Sequence, residues 1–285
     1  MAESPLLLTV DLANLVTRCW HVGERAALPD GRGVHAVHGA VLALRRVLRN
    51  HRPDHVLIAA DSPSASGMRR ALDPVYKAHR PPCDPDLVRQ IGFAAEVLAA
   101  AGWPIVQVER FEADDVIASA ARTYPGRVLV VSGDRDLLAL CSERVRVLLS
   151  RAGGQHILCG PAECEELLGV PPHLVCDLKA LAGDASDGIV GVPGIGTKGA
   201  VSLIRRRGSI AMIYADLLSV MPVRARRLLA ANKDRARLSW RLARLHEELD
   251  VAGRWVSSTD VWGMPAAERV RAMGLHATAG ALAAA

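Results

Sequence analysis

The stretch Gly183-Asp-Ala-Ser-Asp-Gly-Ile-Val-Gly-Val-Pro-Gly-Ile-Gly-Thr-Lys-Gly-Ala200 carries two chemical features side by side. Its first half offers two carboxylates, Asp184 and Asp187, at a spacing that lets one helical turn or tight loop aim both at the same point. Its second half is a glycine-rich hairpin before a helical run, where backbone N–H groups at a helix N-terminus favour an anionic phosphate. The stretch therefore predicts a phosphate-binding hairpin, with Lys198 adding positive charge, beside a pair of acids.

A phosphate-binding hairpin close to paired carboxylates indicates a metal-dependent enzyme that acts on a phosphodiester. The alternative is a Gly/Pro turn between two helices, in which the aspartates serve as caps. Because glycine-rich motifs often match by accident, the rest of the chain has to decide between the two interpretations.

The composition is that of a globular protein. The chain has 285 residues, of which 50% are hydrophobic and 23% charged, so it can build one large or two ordinary domains. No apolar run reaches the length of a membrane span, and the run at 5–11 is too short for a signal peptide. The cysteines are scattered without a Cys-x-x-Cys pair, which is typical of free thiols in a reducing cytoplasm. We therefore expect a cytoplasmic protein without a membrane partner.

Positive charge is concentrated in one segment. The chain has a net charge of +5, but Lys198 to Arg244 contains twelve Lys or Arg residues against two acids, a net +10 that leaves −5 for the remainder. A basic segment beside an acidic one is typical of a nucleic-acid-binding surface next to an acidic site. Arginines on solvated helix faces would give the same pattern, so charge alone is weak evidence.

Short apolar runs alternate with helical patterns in the first half of the chain. The runs are Leu6–Asp11, His55–Asp61, Pro104–Val108, Arg127–Asp134 and Arg144–Leu149. Strands that alternate with helices predict a three-layer α/β domain with a mainly parallel sheet.

Acidic residues accumulate where these strands end. Asp11, Asp61 and Asp134 each close a strand, and ligands of such sheets bind outside the carboxyl ends of the strands. Further acids are Glu112, Asp114 and Asp115 at the start of a helix, and Asp136, Asp184 and Asp187. A single aspartate at a strand end is as well explained by a turn or an N-cap, but so many carboxylates repel each other unless cations or protons are present. Oxygen ligands without His or Cys indicate Mg²⁺ or Mn²⁺.

A basic segment with one aromatic residue lies between the second and third strands. It contains Arg69, Tyr76, Lys77 and Arg80. The basic side chains can bind a phosphate, and the aromatic ring can stack on a base or sugar. An exposed basic loop or helix is an equally good interpretation of this segment alone.

Taken together and in order, these blocks resemble the structure-specific 5′ nuclease family. They are Val10-Asp11, Ala60-Asp61, Tyr76-Lys-Ala-His-Arg80, Glu112-Ala-Asp-Asp115, Gly133-Asp-Arg-Asp136, Ala180-Leu-Ala-Gly-Asp-Ala-Ser-Asp187 and Gly191-Val-Pro-Gly-Ile-Gly196. The similarity is greatest to the 5′–3′ exonuclease domain attached to bacterial DNA polymerase I and to stand-alone flap endonucleases of that type. It extends from Leu6 to about Leu249. Since nothing resembling a polymerase follows, we expect a stand-alone nuclease.

The resemblance implies two domains. A PIN-like (resolvase-like) α/β catalytic domain with a helical arch would occupy residues 1–170, and a helix-hairpin-helix DNA-binding domain residues 171–276. We expect the Ala-rich residues 277–285 to be a disordered tail, because they show no partner pattern.

The resemblance also implies roles for single residues. Lys77 and Arg80 match the catalytic cations that contact the scissile phosphate, and the hairpin resembles one that holds a duplex phosphate backbone together with K⁺. The residues implied to bind two or more Mg²⁺ or Mn²⁺ ions are Asp11, Asp61, Glu112, Asp114, Asp115, Asp134, Asp136, Asp184 and Asp187. Those implied to bind DNA are Arg69, Tyr76, Gly191, Gly194, Gly196 and Lys198.

The implied activity is metal-dependent hydrolysis of DNA that has a free 5′ end, a nick or a 5′ flap, by a protein that is a monomer by default. Two other functions stay open: a catalytically weak or inactive protein that binds flaps or junctions, and a PIN-type ribonuclease. The sequence departs from the family at Arg135, which replaces Lys and keeps the charge, and at Gly188, Val190 and Gly199, the last three replacing Asn, Pro and Thr. The last three matter more. These replacements loosen the acidic loop and the helix start, and so bear on efficiency and substrate preference.

Overall fold

The apolar runs of the first half form a central, mostly parallel sheet in the computed structural model, which describes residues 4–150 and 155–283. The strands lie in the order β3-β2-β1-β4-β5-β6, and a seventh strand, β7, pairs with β2. They are β1 (Leu6–Asp11), β2 (His55–Ala59), β3 (Ile105–Val106), β4 (Arg127–Ser132), β5 (Val145–Ser150), β6 (His156–Cys159) and β7 (Val256–Ser257). The pairs β5–β6 and β2–β7 are antiparallel and the others are parallel, so the predicted sheet is confirmed.

Helices cover both faces of the sheet, which confirms the three-layer α/β prediction. They are α1 (Leu12–Val22), α2 (His35–His51), α3 (Gly67–Leu72), α4 (Pro85–Ala100), α5 (Ala113–Thr123), α6 (Pro161–Leu168), α7 (Val175–Ala182), α8 (Thr197–Arg207), α9 (Ile210–Ala215), α10 (Val223–Ala231), α11 (Lys233–Ala243), α12 (Met264–Ala272) and α13 (His276–Ala283). In the described part of the chain, none of these helices combines the length and the apolar character needed to cross a bilayer.

The side chains of β1 supply both cores, because successive residues of a strand point to opposite faces. Leu7 belongs to a cluster that contains α5 and the helices from α6 to α11, whereas Leu8 and Val10 belong to a cluster with α1, α2 and α4. The first cluster joins the sheet and the basic helical region in one continuous core. The two regions are therefore packed together and not merely tethered.

The predicted helix-hairpin-helix unit consists of α7, a loop and α8. The loop begins at Gly183 and is closed by paired backbone hydrogen bonds between Asp184 and Ile189. A Cβ atom on Gly191 would lie 2.2 Å from the backbone nitrogen of Gly183, and both glycines have positive φ, so only glycine fits this crossing.

The basic segment between β2 and α4 forms the short helix α3 followed by turns. The turns return to the sheet edge, where the backbone N–H of Lys77 donates to the carbonyl of Asp187 at 2.9 Å. Lys77 has a φ of 55°, in the left-handed region that non-glycine residues rarely adopt. Strain of this kind is typical of functional positions.

The C-terminal segment differs from the expectation. Residues 277–283 belong to helix α13 and are not a disordered tail, while 284 and 285 lie outside the described residues. Leu282 is fully buried, and α13 packs against α12 and α2. From β7 onward the chain thus returns to the α/β domain, although residues up to 276 were assigned to the DNA-binding domain and the rest to a tail. We expected these small residues to be frayed. In the structure they instead allow α13 to pack closely against its neighbouring helices, so that Leu282 is buried.

Candidate active site

Neighbouring strands bring acidic side chains to one edge of the sheet. Because β2, β1 and β4 are adjacent and parallel, Asp11, Asp61 and Asp134 follow the same ends of three neighbouring strands. They line a cleft of about 230 Å³ together with two acids of the α5 start, Glu112 and Asp114. The cations Lys77 and Arg80 line the same cleft. The geometry thus joins five of the predicted metal ligands and both predicted catalytic cations.

Asp11 is fixed by the elements on either side of it. It caps α1 by accepting from the backbone N–H of Asn14 at 3.1 Å, and its other oxygen accepts from Ser132 Oγ at 3.0 Å. Burial, with the nearby charges of Asp61 and Asp134, raises the pKa of Asp11 to about 6. Such a carboxylate is unfavourable when charged, so a cation at this place would be stabilising.

Several like charges surround Asp114 in the cleft. Burial and the charges of Asp11, Asp134 and Asp136 raise the pKa of Asp114 well above its usual value. The neighbouring Asp134 accepts from the backbone N–H of Asp136 at 2.8 Å, which ties the cleft to a second acidic group.

The second group consists of Asp136, Asp184 and Asp187, each of which offers one carboxylate oxygen within 4.8 Å of the others. The ammonium of Lys179, at the end of α7, lies between two of them: it contacts Asp136 and is 2.6 Å from Asp184 Oδ2. Burial raises the pKa of Asp136 to about 6 despite this lysine. In contrast, Lys179 and Ser186 overcome the effect of burial at Asp184 and lower its pKa to about 2.

Glu112 is held by hydrogen-bond donors on the α3 segment. It accepts from Ser66 Oγ at 2.7 Å, from Tyr76 Oη at 3.1 Å and from Lys77 Nζ at 2.9 Å to each oxygen. Burial alone would raise the pKa of Glu112, but Lys77 and Arg69 outweigh it and lower the pKa. Each acidic group thus contains one lysine ammonium, Lys77 paired with Glu112 and Lys179 between Asp136 and Asp184.

Arg80 and Tyr76 connect this segment to the acidic loop. Arg80 donates to Asp187 Oδ1 at 2.6 Å and to the carbonyl of Ser186 at 3.0 Å. Tyr76 Oη lies 3.1 Å from both Asp187 Oδ2 and Glu112 Oε2, so its single hydroxyl proton is shared between the two carboxylates. Only 2% of Tyr76 is exposed, so its predicted stacking on a base or sugar is wrong for this structure.

Asp115 and Arg69 form a buried ion pair and not a metal or DNA contact. Asp115 has no exposed surface and accepts from Arg69 Nη1 and Nη2 at 2.7 and 2.8 Å, and from the backbone N–H groups of Glu112 and His246. Arg69, which is 3% exposed, also donates to the carbonyls of Leu242 and Arg244. The metal role predicted for Asp115 and the DNA role predicted for Arg69 are therefore wrong here, because consecutive helix residues point in different directions.

Gly191 has a structural role as well. It is buried, and its backbone N–H donates to Ser239 Oγ at 3.1 Å, so the predicted contact with DNA is wrong. Gly194, Gly196 and Lys198 are exposed and line a recess of about 700 Å³ with Arg206 and Arg224.

Lys179, Ser132 and Asn14 belong to the site but were not predicted. Asn14 Oδ1 accepts from the backbone N–H of Gly133 at 2.7 Å, and Ser132 Oγ accepts from that of Asp134 at 3.0 Å. Lys179 is one helical turn before the acidic loop, and a lone cation in the last turn of a helix is a signal that the sequence offered. Ser132 and Asn14 gave no such signal, because their role depends on the adjacency of β1 and β4.

The donor set fits divalent metal ions. It consists of carboxylate oxygens without imidazole or thiolate, and several of these carboxyls keep their protons more strongly than usual or are paired with an ammonium. Hard cations such as Mg²⁺ and Mn²⁺ prefer oxygen ligands and would offset the mutual repulsion.

Two family models match consecutive parts of the chain. The model described as 5′–3′ exonuclease, N-terminal resolvase-like domain, matches residues 6–169, and the model described as 5′–3′ exonuclease, C-terminal SAM fold, matches residues 170–259. Together they cover both the sheet with its acidic edge and the basic helical region.

Curated relatives include both short and long proteins. A 5′–3′ exonuclease of Mycobacterium tuberculosis is 38% identical over 235 residues, which are 75% of this chain and 74% of the relative. DNA polymerase I of Bacillus caldotenax is 34% identical over 230 residues, which are 79% of this chain but only 26% of the polymerase. The chain therefore spans about a quarter of the length of the polymerases it matches.

A solved structure shares the fold. The bacteriophage T5 flap endonuclease, determined as a pseudo-enzyme–product complex with DNA and metal ions, superposes with a TM-score of 0.71 over 97% of this chain and 96% of its own. Its sequence identity is 19%, so the likeness concerns the arrangement of the elements.

Proposed function

The chain belongs to the 5′–3′ exonuclease family, and from this premise we propose that it is a metal-dependent 5′ nuclease acting on DNA. The substrate would be DNA with a free 5′ end, a nick or a 5′ flap. The observation that carries the proposal is the convergence of carboxylates from three strand ends, α5 and the 183–191 loop beside Lys77 and Arg80.

Two acidic groups support two metal sites. Asp11, Asp61, Glu112, Asp114 and Asp134 would hold one ion, and Asp136, Asp184 and Asp187 another, with Mg²⁺ or Mn²⁺ favoured by the donor set. When bound, such ions lower the pKa of water and offset charge on the phosphate oxygens. The contacts of the Lys179 ammonium with Asp136 and Asp184 support a site for positive charge between these two acids.

The residues of the α3 segment would act on the substrate directly. Lys77 is 16% exposed and Arg80 about half exposed at the mouth of the cleft, so both can contact a phosphate while they stay near the acids. Their charges would stabilise negative charge that develops on the phosphate during hydrolysis. Tyr76 and Ser132 would orient carboxylates without contacting the DNA.

The helix-hairpin-helix unit would bind the duplex. Gly194, Gly196 and Lys198 would face the phosphate backbone, and a K⁺ ion at the hairpin would complete this contact. Such binding uses phosphates and not base edges, so we expect no sequence preference. The bacteriophage T5 relative, solved with DNA and metal ions, is compatible with this arrangement.

A cleavage assay tests the proposal. The wild-type protein is incubated with a 5′-labelled flap duplex and a matched nicked duplex, in Mg²⁺, in Mn²⁺ and in EDTA. We expect cleavage near the flap junction in either metal, no cleavage in EDTA, and a loss of at least 100-fold in Asp134→Asn. Asp234→Asn, which alters an exposed acid outside the cluster, is the matched control and should cleave normally.

Two outcomes would contradict the proposal. Tight flap binding without cleavage in both metals would favour a junction-binding protein on this fold. Faster cleavage of a matched RNA substrate than of DNA would favour a ribonuclease.

A further inference from the structure

A second cavity lies away from the acidic cleft, between α2 and the strands β4, β5 and β6. Its volume is about 520 Å³, and it is open to solvent along the C-terminal half of α2. We call it the α2 groove. Among the residues that the structure describes, none of the predicted or observed active-site residues lines it.

The floor of the α2 groove is aliphatic. Leu15, Val47, Val131 and Leu148 form part of its lining and are each less than 10% exposed. Leu148 pairs directly with Leu158 across β5 and β6, so both side chains lie on the same face of the sheet. Leu158 is 46% exposed, which extends the apolar surface beyond the groove toward the sheet edge.

The rim of the α2 groove is basic. Arg45, Arg46 and Arg49 of α2 line it together with His51 and His156. Desolvation and the charges of Arg18 and Arg46 lower the pKa of His156, and desolvation lowers that of His51, so arginines supply the positive charge at neutral pH. Of the lining residues that the structure describes, none is Asp or Glu and none is Phe, Tyr or Trp.

We propose that the α2 groove binds an acidic peptide segment of a partner protein that carries at least one large aliphatic or aromatic side chain. The apolar side chain would enter the aliphatic floor, and the flanking carboxylates would pair with the arginines of the rim. The charge of the rim and the lack of acids in the lining argue for an acidic partner, since complementary potentials favour association. The site is separate from the acidic cleft, so the proposal goes beyond the proposed nuclease function.

Single-stranded DNA is the competing occupant, and the groove suits it less well. Proteins that bind single strands combine basic grooves with aromatic platforms on which bases stack. The α2 groove has arginines but no such platform in its described lining. An aliphatic floor matches an aliphatic or aromatic side chain better than a polar sugar-phosphate chain.

The experiment measures binding of labelled peptides to the full chain by fluorescence anisotropy. Three twelve-residue peptides carry the same six acids and contain either three leucines, one leucine or only alanines at the remaining apolar positions. A fourth probe is a labelled dT12 oligonucleotide. The groove variants are Arg46→Glu/Arg49→Glu, which reverses the rim charge, and Ala43→Trp, which fills the groove. Arg89→Glu, at an exposed arginine of α4 outside the groove, is the matched control.

We expect the leucine peptides to bind at least tenfold more tightly than the alanine peptide. Both groove variants should weaken that binding at least tenfold, whereas Arg89→Glu should leave it unchanged. All three variants should cleave a flap duplex like wild type, since none of these residues belongs to the acidic cleft or the hairpin. Because the peptides are bound without any cleavage, a failure of the nuclease proposal would not affect this result.

Three results would overturn the proposal. One is no saturable binding of any acidic peptide. Another is peptide binding whose affinity does not depend on the number of leucines, or whose affinity is unchanged in both groove variants. The third is dT12 affinity that falls in the groove variants while the peptides do not bind, which would assign the groove to a nucleic-acid strand.

Discussion

The guanidinium of Arg69 joins three parts of the molecule: α3, the start of α5 and the C-terminal end of α11 with the residue that follows it. Replacing Arg69 by Met would leave Asp115 charged and buried with only its two backbone N–H donors and no countercharge. Loss of one member of a buried ion pair costs about 3–5 kcal/mol, so we expect Arg69→Met to lower the free energy of unfolding by that amount. Urea denaturation measures the change.

Arg122→Met is the control for this substitution, because the ion pair of Arg122 with Glu247 is exposed. Exposed pairs contribute about 1 kcal/mol or less. If Arg69→Met were as stable as wild type but bound duplex DNA more weakly, Arg69 would be a DNA contact after all.

Asp11 makes stability depend on pH. Its pKa in the folded protein is about 6, whereas in the unfolded chain it is near the usual 3.8. Between pH 4 and 6 the folded protein therefore holds a proton that the unfolded chain has released, and the stability of the metal-free protein falls as pH rises through this window. We expect Asp11→Asn, which keeps an oxygen for the Asn14 N–H, to be more stable than wild type above pH 6 by about 1–3 kcal/mol.

The advantage of Asp11→Asn should vanish below pH 4 and shrink when Mg²⁺ is added to wild type. Urea denaturation in EDTA at pH 4, 5, 6 and 7, with one series in Mg²⁺, measures both effects. A variant less stable than wild type at pH 7 in EDTA would show that the carboxylate is stabilised there and not repelled.

At the scale of elements, the loop between α7 and α8 depends on backbone contact. We expect Gly191→Ala to lower the free energy of unfolding by more than about 3 kcal/mol and to abolish cleavage, because a methyl group would collide with Gly183 and move Asp184 and Asp187. Gly199→Ala is the matched control: nothing crowds that position, and alanine should stabilise α8 by about 0.5–1 kcal/mol. Thermal unfolding and flap cleavage measure the pair. Normal activity in Gly191→Ala would mean that the loop can open.

The elements differ in how well the sequence predicts them. β1, β2 and β4 are buried on both faces, so each reads as an apolar run, and the aspartate after each run marks the sheet edge. β7 has only two residues, and it is a strand because it pairs with β2, which the sequence does not show. Helix α13 consists largely of small residues and has no amphipathic sequence pattern. It is stabilised by packing against α2 and α12.

The same reasoning separates the site residues. The acids were predictable as a group, because residue type and position at strand ends are visible in the sequence. The sequence could not show whether Asp114 or Asp115 faces the cleft, because the two side chains are separated by only one step of helix rotation. Tyr76 and Arg69 were misassigned because the sequence does not show whether a side chain is exposed. Exposure depends on the tertiary structure, and it decides whether such a side chain contacts DNA or makes an internal hydrogen bond.

At the scale of the whole molecule, charge is divided between an acidic edge and a basic helical region. Binding through phosphates releases counterions, so the logarithm of the affinity for duplex DNA should fall linearly with the logarithm of salt concentration. Arg206→Gln/Arg224→Gln, in the recess with Lys198, should reduce the slope by about 1–2, and Arg89→Gln should not change it. Titrations in EDTA avoid cleavage. A slope unaffected by the double variant would place the duplex on another surface.

The core also predicts how the molecule unfolds. The sheet and the basic helices share one apolar cluster, and α12 and α13 close the opposite face, so this shared interface should make both regions unfold in a single transition. Leu282 of α13 has no exposed surface, and we expect Leu282→Ala to lower the free energy of unfolding by about 2–4 kcal/mol in that transition. Leu218→Ala, at a leucine that is 83% exposed, should change it by less than about 0.5 kcal/mol. Urea titrations followed by tryptophan fluorescence and by residual nuclease activity measure both variants. If Leu282→Ala matched wild type, α13 would detach in solution and the terminal residues would be the frayed tail that their composition suggested.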